Sequence, residues 1–152
     1  MYNCELIELD DQKVVSVRRR CPVSDLPDVI GRTYGMIINH LSSQEKYPGG
    51  LPFVGYFNMD MDDLDVEIGF PIQEDVVETD AIKMSKIPKG KYAQTLHVGP
   101  YMELEKAYDV LMRWIAENGY EATGVGYEYY LNDPDEVKES EIQTRLLFEL
   151  KV

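Results

Sequence analysis

The feature that most constrains the fold of this sequence is an internal repeat of secondary-structure signals. The first half predicts a strand, the pair Cys21-Pro22, a helix, and then Phe53-Val54-Gly55-Tyr56 with a further strand behind it. The second half predicts a strand, Gly99-Pro100, a helix, and then Gly124-Val125-Gly126-Tyr127 with a closing strand. The shared Val-Gly-Tyr after each helix carries most of this inference. We therefore predict a single domain over residues 1–152, composed of pseudo-repeats 1–80 and 81–152.

Hydrophobic periodicity places the elements of each repeat. Two amphipathic helices are predicted from stripes with helical spacing: Leu26, Val29, Ile30, Ile37 and Leu41, then Leu104, Ala107, Tyr108, Leu111, Trp114 and Ile115. Runs rich in β-branched and aromatic residues predict strands at 4–9, 13–20, 52–59, 66–72, 81–87, 92–98, 120–131 and 142–151. Asp10-Asp11 predicts a hairpin between the first two strands, and Pro88-Lys89-Gly90 predicts a tight turn into the strand that follows it.

This element order predicts an α+β protein. A helix followed by two hairpin-paired strands, twice over, forms an antiparallel sheet with both helices on one face. A pseudo-twofold seam is then expected between the two halves, where a ligand cleft would form naturally.

Charge narrows the range of partners. The chain has 15 Lys and Arg against 28 Asp and Glu, a formal net charge of −13, and such a surface repels phosphate backbones and anionic lipid. The basic cluster Arg18-Arg19-Arg20 falls in a predicted strand, where its side chains alternate between faces. No apolar run approaches the ~18 residues of a membrane span, and the start of the chain lacks the pattern of a signal peptide. We expect a cytoplasmic protein with reduced thiols and no nucleic-acid or membrane partner.

Metal and cofactor chemistry is not indicated. His40 and His97 have no Cys, His or Asp at ligand spacing, and the motifs for nucleotide phosphates and for a nucleophilic serine are absent. The acidic segment 60–65 hints at a calcium loop, but its sixth position lacks Gly and its twelfth is Pro71 instead of Glu. We therefore expect no metal and no cofactor.

A group of short motifs in the second half is informative when taken in order. The motifs are Pro88-Lys89-Gly90-Lys91-Tyr92-Ala93, then His97-Val98-Gly99-Pro100-Tyr101 with Leu104, Tyr108 and Trp114, then Tyr127-Glu128-Tyr129-Tyr130-Leu131-Asn132-Asp133-Pro134. Together they resemble the GyrI-like (gyrase-inhibitor-like) small-molecule-binding domain, which is also the effector-binding half of multidrug-sensing transcription regulators. The resemblance covers essentially the whole chain, strongly over 88–134 and weakly before residue 50. It implies a duplicated strand-helix-strand-strand fold. Because the sequence opens on its first strand, we expect no DNA-binding domain.

The resemblance places the family's central ligand-contacting glutamate on Glu128. Side chains alternate along a strand, so Glu128 and Tyr130 share one face while Tyr127 and Tyr129 share the other. The internal repeat then places Phe57 and Met59 on the matching face of the first half. A carboxylate that faces aromatic rings suits flat apolar cations, because each ring face adds ~0.5–2 kcal/mol of cation–π attraction. The predicted ligand-binding residues are Glu128, Tyr130, Phe57, Met59, Tyr101, Tyr108 and Trp114, although helical spacing also predicts core positions for the last three.

Three functions are compatible with these residues. The leading hypothesis is a stand-alone module, monomeric or weakly dimeric, that binds small amphipathic molecules of cationic or aromatic character. The second, implied by some members of the family, is a hydrolase that opens cyclopropane rings of DNA-alkylating compounds, in which Glu128 activates water and Tyr130 donates to the carbonyl. The third is an acidic module that inhibits a topoisomerase, with segments 60–65 and 74–80 as its contact surface on this protein partner.

Overall fold

The computed structural model describes residues 2–152, which form eight strands and two α-helices. The strands are β1 (Glu5–Leu9), β2 (Gln12–Cys21), β3 (Phe53–Tyr56), β4 (Leu64–Pro71), β5 (Lys83–Ile87), β6 (Gly90–Val98), β7 (Ala122–Tyr130) and β8 (Gln143–Leu150). The helices are α1 (Leu26–Ser43) and α2 (Leu104–Glu117), each entered through a short 3-10 turn, Val23–Asp25 or Tyr101–Glu103. All ten predicted elements are present, with bounds that differ from the predicted ones by a few residues.

The chain divides into two compact units. Unit 1 contains the segment that ends at Asp10 together with Lys89–Val152, and unit 2 contains Asp11–Pro88. In unit 1 the strand order is β1-β6-β8-β7, and in unit 2 it is β5-β2-β4-β3. Every pair within these two sets is antiparallel. The predicted α+β class with antiparallel strands is confirmed.

Each unit packs one helix on one face of its own strands. In unit 1, Ala107, Leu111 and Ile115 of α2 cluster with Ala93, Leu146, Phe148 and Leu150. In unit 2, Ile37 and Leu41 of α1 cluster with Val15, Val17, Phe70 and Ile72. The helical spacing therefore identified the buried stripes correctly. Over residues 2–152, neither helix is long and apolar enough to cross a membrane.

The predicted hairpin at Asp10-Asp11 is wrong. β1 pairs with β6, where Leu9 lies opposite Gly90, while β2 pairs with β4 and β5. The turn at Pro88-Lys89-Gly90 likewise separates two strands that pair elsewhere, because β5 joins β2 and β6 joins β1 and β8. A turn signal marks where a strand ends but does not select its partner. The first strand of each predicted half thus belongs to the other compact unit, and the units differ from segments 1–80 and 81–152.

The repeat is present in the topology, but the shared Val-Gly-Tyr is out of register. Pro22 and Pro100 are equivalent, since each precedes a 3-10 turn and then a helix. The same alignment of the strands makes Ile68 of β4 equivalent to Leu146 of β8. Ile68 lies opposite Val54 of β3, and Leu146 lies opposite Glu128 of β7.

Val54 therefore corresponds to Glu128 and not to Val125, and Tyr56 corresponds to Tyr130. The inference that Phe57 and Met59 occupy the face that matches Glu128 is wrong, because a shift by an odd number of residues reverses the face of every strand side chain.

Candidate functional site

Two acidic side chains are buried within residues 2–152, Glu67 in unit 2 and Glu128 in unit 1. Glu128 is only 6% exposed, a rare state for a glutamate unless its carboxylate is hydrogen-bonded. It lies opposite Leu146 of β8, on the face that carries α2. Position and burial make it the centre of the candidate site.

Two tyrosine hydroxyls hold the Glu128 carboxylate. The hydroxyl of Tyr130, two residues further along β7, donates to Oε1 at 2.7 Å. The hydroxyl of Tyr108, on α2, donates to Oε2. Strand alternation predicts the first contact, whereas the second depends on the packing of α2 against the strands.

A glycine on β7 makes room for this arrangement. A Cβ on Gly126 would lie 2.8 Å from the ring of Phe148, closer than atoms can approach. The Phe148 ring in turn packs on the ring of Tyr108, with centroids 5.4 Å apart. A side chain at position 126 would therefore displace the ring that packs on Tyr108, one of the donors to Glu128.

Tyr101 covers the site from the 3-10 turn before α2. Its ring meets the Tyr130 ring edge-on at a centroid distance of 5.9 Å. Burial raises the pKa of the Tyr101 hydroxyl, and the negative charges of Glu128 and Asp133 raise it further. Tyr101 is also 39% exposed, so it connects the buried carboxylate with the protein surface.

A buried histidine anchors the turn that carries Tyr101. His97 Nε2 lies 3.0 Å from the carbonyl oxygen of Pro100, and its Nδ1 lies 2.9 Å from the hydroxyl of Tyr2. Because a carbonyl only accepts, Nε2 donates to the Pro100 oxygen. The sequence predicts no ligand role for His97, and its structural partners agree with a positioning role.

The remaining predicted site residues have contacts of their own. Trp114 stacks on Tyr120 at a centroid distance of 6.4 Å and packs at the edge of the α2 core. Phe57 and Met59 belong to unit 2, where the guanidinium of Arg18 lies 3.8 Å from the Phe57 ring centre and Met59 is 72% exposed. Ligand contact by these three residues stays a prediction.

Glu67 was missed by the sequence analysis. It lies between Val66 and Ile68 in a strand whose alternation predicts a solvated glutamate, yet it is 5% exposed. No local signal distinguishes it from the exposed acidic residues of this chain. No group of three or more His, Cys, Asp or Glu side chains in the described part of the chain is placed to hold a metal ion.

Comparisons with known proteins place this chain in a family. The model of the GyrI-like small molecule binding domain matches residues 2–151. No curated protein sequence matches the chain.

Among solved structures, EcmrR in a complex with DNA is 25% identical, with a TM-score of 0.81 over 99% of this chain and 57% of that chain. The isolated EcmrR C-terminal domain is 22% identical, with a TM-score of 0.82 over 99% of this chain and 98% of that one.

Two more distant structures share the fold. A hydrolase from Listeria innocua is 17% identical, with a TM-score of 0.70 and coverage of 98% of this chain and 92% of that one. The SAV2435 protein bound to tetraphenylphosphonium is 12% identical, with a TM-score of 0.73 and coverage of 98% and 94%. From the family match over nearly its whole length, the chain belongs to the family of GyrI-like small molecule binding domains.

Proposed function

We propose that this domain binds small amphipathic molecules with a cationic or aromatic character, and that Glu128 is the residue that selects them. The observation that carries the proposal is the buried carboxylate of Glu128, held on both oxygens by tyrosine hydroxyls. Tyr101, Tyr108 and Tyr130 supply the aromatic surface around it.

The electrostatics of this cluster favour a cation. Phenol hydroxyls are neutral donors, so they hold the carboxylate without cancelling its charge. Burial makes the charge of a carboxylate costly, and a cationic ligand lowers that cost.

A structural relative supports the ligand class. The SAV2435 protein, which shares the fold, is bound to tetraphenylphosphonium, a delocalised cation that presents only aromatic surface. Ring faces such as those of Tyr101 and Tyr130 add about 0.5–2 kcal/mol of cation–π attraction each to a ligand of this kind.

The test compares one cation with a neutral molecule of similar shape. Wild-type protein and Glu128→Gln are titrated by calorimetry with methyltriphenylphosphonium and with triphenylphosphine oxide. The variant keeps the shape of the side chain and loses its charge, so it should bind the cation roughly 1.5–3 kcal/mol more weakly and the neutral molecule equally well.

Glu105→Gln is the matched control, because it removes one exposed carboxylate from α2. It should leave both affinities unchanged. If Glu128→Gln weakens both ligands alike, or neither, then Glu128 does not select cations and the proposed site is wrong.

A second candidate function is hydrolysis of cyclopropane rings in DNA-alkylating compounds. It is favoured by the placement of two tyrosine O–H groups on one carboxylate, since Glu128 could accept a proton from water while a tyrosine donates to the developing carbonyl charge. The Listeria innocua neighbour named a hydrolase has the same fold. Mass spectrometry decides: a compound recovered with one added water, and recovered unchanged from Glu128→Gln, supports the hydrolase.

The inhibitor hypothesis receives less support. In the two acidic segments, Asp63 and Asp65 pair with Arg18 and Arg20, while Glu74 and Asp75 pair with Lys46 and Lys13. These ion pairs reduce the net negative charge that a DNA-like surface would require. We therefore place small-molecule binding first.

A further inference from the structure

Unit 2 contains a cavity of about 420 Å³, a volume within the usual range of small-molecule sites. Its lining includes Ser16, Arg18, Arg19, Glu67, Lys83 and Met84. All of its lining residues lie in unit 2, whereas Glu128 lies in unit 1. The cavity therefore shares no lining residue with the Glu128 site described above.

The floor of this cavity is a buried carboxylate. Glu67 is 5% exposed and Ser16 is 4% exposed, and Ser16 Oγ donates to Glu67 Oε2 at 2.6 Å. Within the described chain this is the one hydrogen bond that the Glu67 carboxylate receives, although a carboxylate has about four acceptor positions. A buried anion with one neutral donor leaves acceptor capacity that an ammonium group would fill.

The local backbone keeps Ser16 and Glu67 in place. Gly69 lies opposite Ser16 in the ladder, and a Cβ at this position would come within 2.1 Å of the Val15 carbonyl oxygen. A larger residue at position 69 would therefore push β4 away from β2 and displace the Ser16–Glu67 pair. The floor depends on this close approach of two strands.

The rim of the cavity carries basic side chains. β5 begins at Lys83, which lies opposite Ser16, and the rest of β2 pairs with β4 alone within the described residues. Arg19 and Lys83 are exposed near the point where the pairing of β5 with β2 ends. The lining carries three basic and two acidic side chains, in a chain with a net charge of −13. Arg18 is paired with Asp65 and Asp80 also lines the cavity, so the positive charge open to an anionic group is that of the exposed Lys83, which shares a face with Ser16 and Glu67.

This site is not a copy of the Glu128 site. In the repeat, Glu67 corresponds to Arg145, because their ladder neighbours Ile68 and Leu146 are equivalent. Glu67 also faces away from the α1 side of its strand, whereas Glu128 faces α2. The two buried glutamates therefore arose at different positions and on different faces.

We propose that the cavity of unit 2 binds a small zwitterion, with its ammonium group on Glu67 and its carboxylate against Lys83, which shares a strand face with Ser16 and Glu67. Glu67 on β4 and Lys83 on β5 lie on either side of β2. Neighbouring strands are about 4.8 Å apart, so the two side chains start roughly two strand spacings apart across the sheet. They are also two residues apart along β2, because Glu67 lies opposite Arg18 and Lys83 lies opposite Ser16. This separation favours an ω-amino acid, whose charges are several bonds apart, over an α-amino acid.

The experiment uses 5-aminovalerate as the probe, with butylamine and valerate as molecules that carry one charge each. Wild-type protein with labelled methionine methyl groups is titrated at low salt and followed by NMR. Met84 lines the cavity, so the chemical shift of its methyl signal should change on titration. The methyl signal of the exposed Met59 should not change. The probe should bind at least about tenfold more tightly than either control, as expected when a second charge-assisted contact forms.

Variants separate the two ends of the probe. Lys83→Gln changes an exposed residue and should remove most of the preference for 5-aminovalerate over butylamine. Lys86→Gln is its matched control, because Lys86 lies on the same strand but opposite Lys13 rather than Ser16, and it should keep the preference.

Glu67→Gln should weaken the binding of 5-aminovalerate by about tenfold or more and leave the binding of methyltriphenylphosphonium unchanged. The proposal fails if no probe shifts Met84, if butylamine binds as tightly as 5-aminovalerate, or if Lys83→Gln and Lys86→Gln behave alike. Each of these outcomes is independent of the behaviour of Glu128→Gln.

Discussion

The hydroxyl of Tyr130 lies 2.7 Å from Oε1 of Glu128, two residues apart on the same strand. Tyr108 donates to the other oxygen from α2, so donors on two different elements hold one buried carboxylate. Because each of its oxygens accepts a hydrogen bond, the carboxylate keeps a fixed orientation. Loss of either phenol should therefore affect stability as well as binding.

We expect Tyr130→Phe to lower the free energy of unfolding by about 1–3 kcal/mol, because a buried carboxylate loses a hydrogen bond that the ring alone cannot replace. Urea unfolding at pH 7 measures the change. Tyr47→Phe is the control, since Tyr47 is 79% exposed and its change should be close to zero. Equal stability of wild type and Tyr130→Phe would mean that water satisfies Glu128 equally well.

The titration of Tyr101 should report the charge of Glu128. Burial and the charges of Glu128 and Asp133 together raise the pKa of the Tyr101 hydroxyl. In Glu128→Gln this pKa should fall, but it should stay above the ordinary tyrosine value of ~10 because burial is unchanged. NMR of tyrosine ring carbons, with Tyr101→Phe to assign the signal, measures it. An unchanged pKa would indicate that Glu128 is protonated in the wild type.

Asp65 should make stability depend on pH in the acid range. The hydrogen bond from Arg18 lowers the pKa of Asp65, burial opposes this, and the charges of Arg18 and Arg20 lower it further. A lowered pKa stabilises the fold above the ordinary aspartate value of ~3.9, and this stabilisation is lost as the pH falls through the folded-state pKa.

Asp65→Asn should therefore cost roughly 1–2 kcal/mol at pH 7, and the difference from wild type should shrink below about pH 4. Denaturant unfolding between pH 3 and 7 tests both parts, with the exposed Asp62→Asn as the control. A difference that stays constant with pH would contradict the assignment to the Arg18 contact.

Trp114→Ala should destabilise unit 1 less than loss of a fully buried aromatic residue would. Trp114 is half-buried at the edge of the α2 cluster and stacks on Tyr120. We expect a loss of about 2–3 kcal/mol, below the 3–5 kcal/mol usual for a core tryptophan. Met112→Ala, on the same helix and 49% exposed, is the control for a change at the helix surface. An unchanged urea midpoint for Trp114→Ala would show that the indole contributes little to packing.

The sequence predicted local structure well because its signals act over short distances. The stripe through Leu111 and Ile115 predicts a helix that packs by that face, and both residues are buried in α2. The alternation in β7 places Glu128 and Tyr130 on one face, and their hydrogen bond agrees. Such patterns depend only on the repeat of the helix or strand itself.

The sequence did not predict the contacts between elements. Nothing near Tyr108 indicates that its hydroxyl reaches Glu128, since helical spacing alone predicts a core position for this residue. The match of Val54-Gly55-Tyr56 with Val125-Gly126-Tyr127 suggested the correct topology from an incorrect register, because the ladders equate Val54 with Glu128. A short identity cannot define register when one residue of slip reverses the faces of a strand.

By itself, the sequence determined which segments are helices and strands, the fold class and, through its resemblance to known proteins, the family and the glutamate at the centre of the candidate site. Tertiary structure alone decided that β1 pairs with β6 and that β5 pairs with β2. It also decided that two tyrosines donate hydrogen bonds to Glu128, and that Glu67 is buried and accepts a hydrogen bond from Ser16. The physical reason is the distance along the chain over which each signal acts. Periodicity and turn propensity are properties of neighbouring residues, whereas strand partners and the burial of a charge depend on residues that are distant in the chain and meet only on folding.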